Sequence, residues 1–158
     1  MTWEEVCAHP SLQNLPFKIE TNQWGQVVMS PVKIPHSAYQ GEINGLLRDL
    51  MQNGRVLVEC AIATTKGTKV ADVAWASPAL FRRIKNEAAC SVAPEICVEV
   101  YSFSNTQKEM KEKRELYVEK GAKEVWYCDK NGKISFYNEE GKLKKSALCP
   151  DFPGKIKL

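Results

Sequence analysis

Three charged residues stand where the surrounding pattern is apolar. Asp72 interrupts the run Val70-Ala71-Asp72-Val73-Ala74-Trp75, and Glu99 interrupts Ile96-Cys97-Val98-Glu99-Val100-Tyr101. Near-continuous apolar strands are usually covered on both faces. A carboxylate inside one loses its hydration on folding and needs a partner or a proton. The third anomaly is Lys113. On a helix of 3.6 residues per turn, Met110, Leu116, Tyr117 and Val118 mark the apolar side, and Lys113 projects between Leu116 and Tyr117. Glu109 lies one turn earlier on a similar side. Two carboxylates on neighbouring strands can hold a hard divalent cation such as Mg2+ through oxygen. A lysine beside them can position water or stabilise charge on a phosphate. The cation would cancel the repulsion between the carboxylates and make its bound water more acidic. Each residue also has a plainer reading. The carboxylates can be strand-end partners of water or a salt bridge, and Lys113 can snorkel to solvent or pair with Glu109 at i, i+4.

The elements that must position these residues follow from local pattern. Thr2-Trp3-Glu4-Glu5 is a capping box that opens a short helix, limited by Pro10. Phe17 to Glu20 and Gln26 to Met29 read as strands around the turn at 22–25. Tyr39, Ile43, Leu46, Leu47, Leu50 and Met51 recur at helical spacing, which predicts a long helix from about His36 to Gln52. Strands are predicted at Arg55–Ala63, Lys69–Ala76 and Glu95–Tyr101, with a short proline-led helix over Pro78–Lys85. The polar stretch Ser102 to Thr106 caps a helix running to about Lys120, ended by Gly121. Asn131-Gly132 then joins strands Glu124–Cys128 and Ile134–Tyr137 as a hairpin, and a last strand is placed near Leu143 to Leu148. This order predicts an α/β fold, a mixed central sheet flanked by helices with additional strands at both ends.

Composition sets the bounds. A chain of 158 residues with 44% hydrophobic content suits one domain, taken as 1–158. A net charge of +3 is a weak argument for nucleic acid, although it can conceal a local patch. No apolar run reaches the roughly 20 residues of a membrane helix, and the acidic N-terminus lacks a signal pattern; a cytoplasmic protein is expected. The six cysteines are scattered without a CxxC pair, which argues against zinc. A disulfide framework is not expected in a reducing compartment.

As an ordered set, several segments resemble one branch of the PD-(D/E)xK nucleases, the bacterial putative restriction endonuclease family long catalogued as a domain of unknown function. They are Thr2-Trp3-Glu4-Glu5, Pro10 to Pro16, Trp24 to Pro31, Lys69 to Trp75, Pro94 to Val100, Ser102 to Asn105, Glu112-Lys113, Tyr117, Lys120-Gly121-Ala122 and Glu124-Val125-Trp126. The resemblance implies a restriction-endonuclease-like core and a Mg2+-dependent endonuclease acting on DNA, with Mn2+ able to substitute. It implies that Asp72 and Glu99 bind the metal, with the Val100 carbonyl as a further ligand. The class usually places its lysine two residues after the second acid, where this chain has Tyr101; in this branch the lysine has moved to the helix, and Lys113 matches it. A glutamate from the first helix often joins the site, and Glu42 is the candidate, its plainer reading a solvated helix residue. His36 matches a histidine common in the branch, placed to touch a phosphate or the water on the metal; a helix-capping or structural histidine is its plainer reading. Glu109 stands as a possible accessory residue. Two departures are Ala71 in place of the proline of the class name and Phe103 in place of a proline after the serine.

DNA is the expected partner and no membrane is. A two-fold homodimer is a further expectation, with Trp126, Phe136 and Tyr137 of the last hairpin as its apolar surface. The alternative to an enzyme is a catalytically weak or inactive nuclease-fold protein that binds nucleic acid or protein.

Overall fold

The computed structural model describes residues 1–158. Helix α1 (Trp3–Ala8) starts at Thr2, whose capping box with Glu5 forms in both directions. Strands β1 (Phe17–Thr21) and β2 (Val27–Pro31) pair as a separate antiparallel hairpin. Helix α2 spans Ile34–Leu50, two residues earlier than the apolar spacing predicts. Pro35 sits in its first turn, where a missing N–H costs nothing.

The main sheet follows. Its strands are β3 (Arg55–Thr64), β4 (Gly67–Ala76), β5 (Ile96–Val100), β6 (Glu124–Cys128), β7 (Ile134–Asn138) and β8 (Gly141–Leu143), hydrogen-bonded in that order. Only β5 and β6 run parallel, joined by the crossover helix α4 (Gln107–Glu119); the short α3 (Pro78–Ile84) lies between β4 and β5. The architecture is thus a mixed sheet between helical layers. On one face, Ile43 and Leu47 of α2 pack with Val73, Val98, Trp126 and the C-terminal Phe152 and Ile156. On the other, Met110 and Tyr117 of α4 and Ile84 of α3 pack with Ala74, Cys97 and Val125. No helix is long and apolar enough to cross a membrane. All six cysteines are free, and five are buried.

The β1–β2 hairpin is tied to the edge of β4 by side chains. Thr21 Oγ1 accepts the Thr68 amide at 2.8 Å, and Glu20 Oε2 accepts the Val70 amide at 2.7 Å. Gly67 opens β4 at φ +88°, and a Cβ there would lie 2.5 Å from the Thr21 carbonyl oxygen. The close approach of β1 therefore requires glycine at this turn.

Two expectations are corrected. The last strand lies at Gly141–Leu143, not Leu143–Leu148. Buried Glu124 diverts the chain from the ladder: its carboxylate accepts the Ala147 and Leu148 amides at 2.9 and 3.0 Å, with Ser146 Oγ at 2.6 Å and Trp126 Nε1 at 2.8 Å. Two of the three aromatic residues assigned to a homodimer surface are also consumed by folding: Trp126 and Phe136 are 0% and 3% exposed and stack edge-on at 5.0 Å, while Tyr137 is half-buried. Glu124→Gln should destabilise the fold by about 1.5–3 kcal/mol, the range for hydrogen bonds to a charged group. Hydrogen exchange should show the Ala147 and Leu148 amides losing protection first; unchanged exchange at both would mean that Glu124 does not anchor the C-terminal segment.

Candidate active site

The β4–β5 ladder is paired at Trp75–Ile96, Ala74–Cys97 and Val73–Val98. Continued one step, that register sets Asp72 opposite Glu99, and pairing stops there. The strands part because the Asp72 side chain takes the place of a backbone acceptor: its Oδ2 receives the Val100 amide at 2.7 Å. Across the sheet, β3 also breaks its pairing opposite Asp72, where Glu59 adopts φ +53°. Asp72 and Glu99 therefore face each other at an opening in the sheet, each 1% exposed.

Two lysines close on them. Lys18 Nζ, from β1, lies 3.1 Å from Asp72 Oδ1 and 3.2 Å from Glu99 Oε2. Lys113 Nζ, from α4, lies 2.8 Å from Glu20 Oε2 and 3.6 Å from Glu99 Oε1. Lys113 neither snorkels freely nor pairs with Glu109. The Tyr117 hydroxyl, one turn on from Lys113, donates to Glu99 Oε1 at 2.6 Å and fixes that carboxylate. His36 Nε2 stands 3.3 Å from Asp72 Oδ2, and its Nδ1 is buried without a partner. Its helix has no side-chain cap, so capping does not explain the histidine.

The structure thus brings together Asp72, Glu99, Lys113, His36 and Val100. It does not bring Glu42 or Glu109 to the group; both side chains are exposed. Glu42 lies on the solvent face of α2, beside buried Ile43 rather than on the buried side.

Lys18 and Glu20 were not singled out by the sequence pattern. Phe17-Lys18-Ile19-Glu20 alternates apolar and polar, which in a strand ordinarily turns the apolar set inward. Here the phase is reversed: Glu20 is buried and Phe17 is 42% exposed. Opposite charges two residues apart on one strand face were the available signal, but a solvent-facing pair carries the same pattern.

The electrostatics follow from burial against pairing. Burial alone would raise the Asp72 carboxyl, but Lys18, His36 and the Val100 amide together hold it below the usual carboxylate range. Glu20 is likewise lowered, because Lys113, Lys18 and the Val70 amide outweigh its burial. Glu99 goes the other way. Its burial, with Asp72 and Glu20 nearby, outweighs both lysines and raises it. Burial would lower the Lys18 ammonium, yet Glu99, Asp72 and Glu20 raise it overall.

No three His, Cys, Asp or Glu side chains surround a single metal position. A two-carboxylate site is nonetheless compatible with a hard cation. One oxygen from Asp72 and one from Glu99 already converge on a single cationic group, the Lys18 ammonium. Carboxylate and carbonyl oxygens are the donors Mg2+ prefers, the remaining positions being taken by water. Val100 borders a pocket of about 20 Å³ shared with Lys18, Glu20, His36, Ser102 and Lys113, room for one water-sized species. A groove of about 360 Å³ adjoins it, sharing Glu20 and Lys113 as lining.

The mixed sheet, flanked by helices and opened at Asp72 and Glu99, has counterparts among known proteins. A family model described as "Uma2: Putative restriction endonuclease" matches residues 3–152, and the chain belongs to that family. It is similar in structure to a protein from Anabaena variabilis described as a putative nuclease, with a TM-score of 0.78. The two share 15% identity, over 98% of this chain and 94% of the other. No curated protein matches the chain.

Lys18 supplies the sharpest stability test. In metal-free protein, Lys18→Met leaves two buried carboxylates without their shared cation and should cost about 3–5 kcal/mol near neutral pH. The sign of the pH effect is fixed by the carboxyls. In the wild type, the lowered pKa of Asp72 gives stability that is present above its unfolded value of 3.8 and lost as pH falls. In the variant both carboxyls rise, and their cost is relieved as pH falls through the raised values. Urea midpoints measured from about pH 7.5 to about pH 5 should therefore converge; a constant gap would show that Lys18 acts by packing alone.

Proposed function

We propose that this chain is a Mg2+-dependent endonuclease that hydrolyses phosphodiester bonds in DNA. The observation that carries the reading is the convergence of Asp72 Oδ1 and Glu99 Oε2 on one cationic position, 3.1 and 3.2 Å from the Lys18 ammonium. Asp72, Glu99 and the Val100 carbonyl would hold the ion, with Mn2+ able to substitute. When bound, the ion supplies Lewis-acid polarisation of the phosphate and an acidified water.

The protein's own groups do the remaining work. Val100 N–H and His36 orient Asp72, and the Tyr117 hydroxyl orients Glu99, so both carboxylates are set before substrate arrives. Glu20 and Glu99 hold the Lys113 ammonium at the mouth of the groove, beside the small pocket. There it can meet a phosphate oxygen and stabilise the negative charge that grows on it during displacement. Glu20 is a positioning residue in this scheme, acting through Lys113. Lys18 neutralises the carboxylates when no divalent ion is held. That same placement favours the second reading, a nuclease-fold binding module whose acids are permanently satisfied by Lys18.

Calorimetry and cleavage separate the two. Wild-type protein should bind Mn2+ saturably and Asp72→Ala should not. Lys113→Met should retain Mn2+ binding, because the oxygen ligands remain, while cleavage falls by about 10²–10³-fold, the range for removal of one charge-stabilising donor. Absence of Mn2+ binding by the wild type would favour the binding module. Wild-type cleavage by Lys113→Met would remove that lysine from the mechanism.

A further inference from the structure

The loop after β5 separates the acidic site from a second, larger cavity that nothing above assigns. This cleft holds about 750 Å³, within the range of roughly 300–1,000 Å³ typical of small-ligand pockets. Ser102 and Asn105 line both it and the small pocket beside Asp72 and Glu99, so the two are neighbours across one loop.

Its walls combine aromatic rings with positive charge. Tyr101, Tyr127 and Tyr137 line it as a chain of rings, with centroids 5.9 and 5.3 Å apart in succession. Tyr127 is a fixed element, buried and donating its hydroxyl to the Met110 carbonyl at 2.7 Å. Arg114 lies over the Tyr137 ring at 4.2 Å. Lys111, Arg114, Lys130 and Lys133 line the cleft against one carboxylate, Asp129. Asp129 Oδ1 is already engaged, accepting the Asn131 and Lys133 amides at 2.8 and 3.0 Å. Lys111 is partly shared with exposed Glu115 at 4.0 Å. The net charge of +3 therefore conceals a local excess here.

At the rim, Phe103 is 71% exposed, with Lys33 Nζ 3.8 Å above its ring. Phe103 and Lys33 also line a depression of about 220 Å³ that reaches His36, the residue beside Asp72. Adjoining depressions thus run from the tyrosine cleft past Phe103 to His36, which stands against Asp72.

Bases in a continuous duplex have both π-faces covered by their neighbours, so aromatic walls gain nothing from them. An unpaired base offers that face, and the adjoining phosphates match the cations. We propose that this cleft seats an unpaired nucleobase and its flanking phosphates, so that the strand reaching Asp72 and Glu99 is single-stranded. The inference rests on the nuclease reading for its purpose; the binding it predicts does not require cleavage.

The test measures fluorescence anisotropy in EDTA with labelled oligothymidine of about 12 nucleotides, within the span of single-strand binding sites, and with a hairpin duplex. Oligothymidine should bind more tightly than duplex. Phe103→Ala should weaken it roughly tenfold and Phe103→Trp should restore it, as expected for one stacked base. Lys130→Ala should lower the salt slope by about 0.7, the value for one phosphate contact on a single strand. A parallel arm adds Mn2+ to both substrates with wild-type protein and reads cleavage. Duplex bound as tightly as oligothymidine, or no response to Phe103→Ala, overturns the cleft proposal even if cleavage occurs. Phe103-dependent binding without cleavage of either substrate sustains the cleft and overturns the nuclease reading. No binding of oligothymidine at all overturns the cleft.

Discussion

Glu20, Asp72 and Glu99 lose their hydration when this chain folds, and two ammonium groups from distant parts of the sequence must arrive to hold them. An unpaired buried carboxylate would take up a proton or oppose folding. The hairpin that carries Lys18, the opening of the sheet at Asp72 and the pitch of α4 that aims Lys113 are all fixed by this one requirement. The site is thus a charge-balance problem solved by three separate elements, β1, the β4–β5 pair and α4.

That arrangement explains why the sheet is irregular at one place and regular elsewhere. Backbone groups freed where β4 and β5 part are taken up by side chains: Asp72 accepts the Val100 amide, and Glu20 accepts the Val70 amide. Glu124 does the same at the other end of the sheet, turning the C-terminal segment under the core rather than into another strand. In each case a buried carboxylate replaces a ladder partner, which satisfies the backbone and stops strand pairing in the same act.

Much of this was legible in the sequence. A lone charge inside an apolar strand has few explanations, so Asp72 and Glu99 stood out, and helical periodicity separately marked Lys113. The strand and helix order followed from apolar spacing, caps and turns. Lys18 and Glu20 were hidden because alternation fixes that a strand has two faces but not which one turns inward. Only the resemblance points to Glu42, and its helix turns it to solvent beside Ile43. The extent of the last strand was misplaced because a tertiary demand, four donors converging on Glu124, overrode the local pattern. Fold similarity at 15% identity fixes the architecture, while the chemistry must be argued from the side chains of this chain.

Asp72 and Glu99 would share a divalent cation at the position that the Lys18 ammonium fills here. Anomalous diffraction from a crystal of this protein grown with Mn2+ tests it most directly. One strong peak is expected, bounded by Asp72 Oδ1 and Glu99 Oε2, with the Lys18 ammonium moved away from that point and Lys113 still paired with Glu20. A peak elsewhere, or none while Lys18 remains between the two carboxylates, would contradict it.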